Sequence, residues 1–134
     1  MKITQDLYQG SLSLLTDYYQ LTMAYAYWQA GKAEREAVFS LYFRKNPFQG
    51  GFTVAAGLDY VLDFCANFRF DAGDLAYLAA QRKADGSPTF DPGFIQYLEG
   101  LTFSCTIEAV EEGTVVFPYM PLVRVRGPWC SVSF

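Results

Sequence analysis

The chain has 134 residues, 51% apolar and 18% aromatic, enough to build the core of one domain and so to exclude a disordered tail. Its formal charge of −4 argues against a general nucleic-acid binder, so any anion site has to be local. The sequence contains no histidine, which rules out a His-dependent triad and a His-containing zinc site built from this chain.

The N-terminal "MKITQDLYQG" lacks the apolar stretch of a signal peptide. No apolar run approaches the roughly 20 residues of a membrane helix, so the chain is expected to be soluble and cytoplasmic. Cys65, Cys105 and Cys130 are odd in number and far apart. Buried or incidental thiols in a reducing compartment are expected, rather than a disulfide framework or a metal site.

The first predicted element is a helix over Asp17–Ala30. Thr16 is placed to accept a hydrogen bond from a first-turn N–H, and Asp17 suits the positive end of the dipole. Leu21, Tyr25 and Trp28 recur on one face, and Gly31 is a natural residue just past the end. Tyr18 and Tyr19 lie about 100° apart on such a helix, and periodicity does not choose which of them meets a ligand. "EAVFSLYF" alternates β-branched and aromatic residues and reads as a strand that Asn46-Pro47 ends. A second helix is predicted over Thr53–Asn67, with Gly57 as its weak point. A third spans Asp71–Gln81 with Asp71 as cap. The polar run "RKADGSP" is a loop, and a short helix follows from Asp91-Pro92 to Gly100. Three strand-like runs then follow, "TFSCTIEAV", "GTVVFP" and "PLVRVRG", and their short connections predict antiparallel pairing of neighbours. Helix, strand, helices, then strands indicates an α+β domain.

Local chemistry is sparse. Arg44 and Lys45 at a strand end, followed by a turn and Gly50-Gly51, make a candidate phosphate site of planar fork, point charge and accessible backbone N–H groups. An ordinary solvated strand end is the competing reading. Arg124 and Arg126 fall on one face of a strand and read as a solvent-facing pair. Glu108, Glu111 and Glu112 lack metal-ligand spacing. No Walker loop, dinucleotide fingerprint or nucleophile elbow occurs.

Three segments together, "LLTDYYQLTMAYAYWQAG", "AVFSLYFRKNPFQGGFTVAAGLDYVLDF" and "EEGTVVFPYMPLVRVRGP", resemble the N-terminal region of nicotinate phosphoribosyltransferases, from about Leu14 to Pro128. The resemblance implies the N-terminal domain of a type II phosphoribosyltransferase, with helices packed on a mostly antiparallel sheet and without the α/β barrel. It implies an enzyme of NAD biosynthesis, of the ATP-coupled ligase class. Nicotinate is joined to phosphoribosyl pyrophosphate, giving nicotinate mononucleotide and pyrophosphate, with ATP and Mg2+ assisting. It also implies homodimers in which this domain closes the partner's barrel. By similarity, Tyr19 stacks on the pyridine ring, Asp17 frames the base pocket, and Arg44, with Lys45, reaches the phosphates. The family's catalytic histidine lies in the barrel, so no catalytic residue and no metal ligand is expected within residues 1–134. The tail "GPWCSVSF", from about residue 129, is expected to depart from the family pattern. The chain is therefore expected to be an N-terminal piece, inactive alone. The alternatives are a nicotinamide-using relative, a non-catalytic interaction module that binds a barrel-bearing partner or itself, and a stand-alone anion-binding domain.

Overall fold

The structure, a computed structural model, describes residues 10–132. It is an α+β arrangement in which helix α1 (Tyr18–Gln29) and strand β1 (Glu36–Leu41) come first. A single 3-10 turn (Pro47–Gln49), strand β2 (Thr53–Val54) and helices α2 (Leu58–Ala66), α3 (Ala72–Ala80) and α4 (Pro92–Glu99) follow. Strands β3 (Thr106–Ala109), β4 (Val115–Val116) and β5 (Val123–Pro128) and the short helix α5 (Trp129–Val132) complete it.

Helix α1 begins one residue after Asp17, which is its N-cap in extended geometry, and Gly31 takes a left-handed φ of 65° just past Ala30. Thr16 does not accept from the first turn as expected. Its hydroxyl donates to Gln20 Oε1, the same oxygen that accepts from the Asp17 N–H at 3.3 Å. Helix α3 matches its predicted span closely. Asp71 Oδ1 accepts from the N–H groups of Gly73 at 2.8 Å and Asp74 at 3.0 Å, which satisfies two otherwise orphaned donors.

Two predicted elements are corrected. The helix expected from Thr53 starts only at Leu58, because Gly57 sits at φ 103° and Thr53-Val54 instead pairs with β4. Glu112 completes that helix start, its Oε1 accepting from the N–H groups of Gly57 at 2.8 Å and Leu58 at 2.6 Å. The three late strands do not pair with their sequence neighbours. β5 is the centre of a three-stranded antiparallel sheet ordered β1-β5-β3, and β4 leaves to join β2. The pairing is antiparallel as expected, but the partner of β5 on one side is β1, from the first third of the chain. On the β3 side, Gly127 lies close against the segment leading into β3: a Cβ there would lie 2.5 Å from Cys105 Sγ and 3.0 Å from Cys105 Cα.

The core lies among the helices. Leu21 and Ala24 of α1, Leu78 of α3, and Phe94 and Leu98 of α4 pack with Phe68, Phe70, Phe90 and Cys130. Tyr25 and Trp28 belong to this packing, Tyr25 lying 5.0 Å from the ring of Phe94. Helix α5 joins the core to the sheet. Trp129 stacks on Tyr27 at 3.8 Å, and its N–H donates to the Arg35 carbonyl at 2.9 Å.

Candidate functional site

Because α5 is the main link between helices and sheet, a groove of about 410 Å³ remains between α1, α2 and the inner face of the sheet. Its floor is apolar, with Phe39 and Leu41 of β1 and Val123 and Val125 of β5, and Gln20 and Tyr19 border it from α1. The volume and the mixture of apolar walls with few polar groups suit a small organic ligand or a packing partner.

The four residues singled out by resemblance are not gathered at one point. Tyr19 lines the groove and is 56% exposed, and among the described residues no ring packs against it. Asp17 is exposed at the head of the same helix and does not line the groove. Arg44 and Lys45 leave the end of β1 beyond Leu41, both exposed. Among the described residues the one ion pair joins Arg124 to Glu108 at 3.4 Å, so neither cation is neutralised by a neighbouring carboxylate. The turn behind them is braced by the Thr53 hydroxyl, which donates to Asn46 Oδ1 at 3.0 Å. Arg124 and Arg126 lie on the opposite, outer face of the sheet beside Val38, Thr106 and Glu108.

The groove-lining role of Gln20, Phe39 and Leu41 was not reached from sequence. The alternation of β1 does separate Phe39 and Leu41 from Val38 and Ser40, and only the long-range pairing with β5 tells which set faces α1. The capping role of Glu112 had no local signal, since it acts 54 residues away from Leu58.

Of the groups with a raised pKa, Cys65 borders the groove, and Tyr97 and Cys130 lie away from it. Burial pushes the Cys130 thiol from its ordinary 9.0 up to about 11; Tyr97 opposes the shift and Glu34 adds to it. Burial, then the hydrogen bond that the Tyr97 hydroxyl donates to Glu34 Oε1 at 2.9 Å, also raises Tyr97. Burial raises Cys65 as well. No disulfide joins any two of Cys65, Cys105 and Cys130. Among the described residues no group of three or more His, Cys, Asp or Glu side chains is placed to hold a metal ion. No helix among them is long and apolar enough to cross a membrane.

The fold is that of a phosphoribosyltransferase domain. It matches the crystal structure of human nicotinic acid phosphoribosyltransferase with a TM-score of 0.76 and 41% identity, over 88% of this chain and 23% of that one. Residues 14–134 match the family model of the nicotinate phosphoribosyltransferase (NAPRTase) N-terminal domain, and the chain belongs to that family. A nicotinate phosphoribosyltransferase of Caenorhabditis elegans is 52% identical over 116 residues, 86% of this chain and 20% of the relative. Nicotinate phosphoribosyltransferase 1 of Arabidopsis thaliana is 47% identical over 90% of this chain and 21% of the relative, and the human enzyme 44% identical over 90% and 22%. The chain thus spans about a fifth of the length of these relatives.

Proposed function

We propose that this chain is the N-terminal part of an enzyme that joins nicotinate to phosphoribosyl pyrophosphate in NAD biosynthesis. The carrying observation is the family match over residues 14–134. The pyridine nitrogen forms a bond to the ribose carbon as the bond to pyrophosphate breaks, so the reaction needs an aromatic face for the base and cations for the leaving group. Tyr19, exposed and without a stacking partner among the described residues, has the chemistry for the first task. Arg44 and Lys45, exposed and without an ion pair among the described residues, have it for the second. Asp17, beside Tyr19, frames the base. These residues act on a barrel supplied by the other subunit of a cytoplasmic homodimer. ATP and Mg2+, when bound to the complete enzyme, supply coupled hydrolysis and charge neutralisation; neither is assigned to residues of this chain. Residues 1–134 alone are expected to give no turnover with nicotinate, ATP and phosphoribosyl pyrophosphate.

The test is a hybrid in which residues 14–134 replace the matching segment of the human relative. Product from nicotinate, with far less from nicotinamide, supports the reading. Preference for nicotinamide would move the chain to the rival base.

A second reading, a non-catalytic interaction module, is favoured by exposed apolar residues around the sheet and its turns, including Leu41, Phe48, Phe52 and Tyr119. Size-exclusion chromatography of the chain tests it, and a stable monomer at all concentrations counts against it.

A further inference from the structure

We propose that Gln20 is a positioning residue for Tyr19 and Asp17, an inference that rests on the function proposed above. Tyr18 is anchored by its ring, edge-on to Phe90 at 6.3 Å. Tyr19 has no such anchor among the described residues, so its place at the groove is set by the backbone of the first turn of α1. That turn is held by hydrogen bonds that converge on Gln20. Its Oε1 accepts from the Asp17 N–H at 3.3 Å and from the Thr16 hydroxyl. Its own N–H donates to the Asp17 carbonyl at 2.9 Å. The Thr22 hydroxyl closes the other end, donating to the Tyr19 carbonyl at 2.9 Å.

A backbone N–H only donates, so the oxygen of the Gln20 amide must face Asp17. What the side chain supplies to the clip is therefore an acceptor, a property glutamate keeps and leucine lacks. Gln20 also borders the groove next to Tyr19. Loss of the clip frees Thr16 and Asp17 from the helix and lets the turn that presents Tyr19 fray, and small misplacements of a stacking group weaken the contact it makes.

The test uses the hybrid enzyme described above. Gln20→Leu is expected to raise KM for nicotinate about tenfold, near the full worth of one aromatic stack. KM for phosphoribosyl pyrophosphate and kcat should move by less than about twofold. Gln20→Glu, which keeps the acceptor, is expected to restore KM for nicotinate. Asp91→Ala, which removes the cap that accepts from the Gly93 N–H at 2.7 Å in α4, serves as a stability control. It should lower the melting temperature without moving KM for nicotinate. The inference is overturned if Gln20→Leu leaves KM for nicotinate where the control leaves it, or if Gln20→Glu fails to restore it. No product from the unsubstituted hybrid, when the parent human enzyme is active, overturns the functional reading and this inference with it.

Discussion

Adjacent tyrosines at the head of α1 meet different surroundings. Tyr18 packs on Phe90, while Tyr19 borders the groove and is left open. In the hybrid enzyme, Tyr19→Ala should raise KM for nicotinate by about 2- to 12-fold, the worth of an aromatic contact of about 0.5–1.5 kcal/mol, with little change in melting temperature. Tyr18→Ala should do the reverse, and steady-state kinetics beside thermal melts separate the two. Arg44→Ala should raise KM for phosphoribosyl pyrophosphate by about tenfold or more, as expected for loss of a charge-assisted hydrogen bond. An unchanged KM would remove Arg44 from the site. Cys130 gives a prediction in pH. Its folded value, about 11, lies above its ordinary 9.0, so between these pH values the unfolded chain binds fewer protons than the native one. The stability associated with the neutral thiol is complete below pH 9 and falls away as pH rises through 11. Urea midpoints measured from pH 8 to 11 should decline, and less steeply in Cys130→Ala.

At the level of elements, the legible features were those written in neighbouring residues. The helix starts at Asp17, Asp71 and Asp91 and the left-handed Gly31 follow from capping chemistry that acts within a few positions. The misread elements depend on distant partners. Thr53-Val54 is β-branched and suits a strand, but it becomes one only where Val115-Val116 lies opposite it. Short turns between the late strands suggested hairpins, but β1 is the longer partner and takes one edge of β5. The site divides in the same way. Tyr19 and Arg44 were marked by motif, whereas Phe39 and Leu41 join the groove only because Val123 and Val125 lie beside them. The crossing of β5 over Cys105 sets a further expectation. Gly127→Ala places a methyl group against the backbone and sulfur of Cys105, an overpacking that should cost about 1–3 kcal/mol. A urea midpoint unchanged from the parent would mean that the contact yields easily.

The whole molecule keeps its tightest packing among the helices and leaves the sheet side apolar and open. Phe48 is fully exposed, with φ at 55°, and Tyr119, 68% exposed, also has a positive φ. Such backbone costs on the order of 1–3 kcal/mol per residue and persists where surroundings hold it. Purified alone, the chain should elute from size exclusion at a volume that shifts with concentration, as open apolar surface is buried between copies. Elution as a monomer across a hundredfold dilution, about 2.7 kcal/mol in association free energy, would show that the surface is innocuous.

The pairing of β1 with β5 also has a consequence in time. Glu36 meets Pro128 and Leu41 meets Val123, so β1 leaves the ribosome long before the strand that completes its hydrogen bonds. At about 5–20 residues per second, the interval is on the order of 4–20 seconds. Through that interval Phe39 and Leu41 stand on an unpaired strand edge, the kind of surface that recruits a holding chaperone or a neighbouring nascent chain. The helices α3 and α4, whose contacts are local, are free to form first. The sheet is then the late, vulnerable step of biosynthesis, and synthesis speed becomes a determinant of yield.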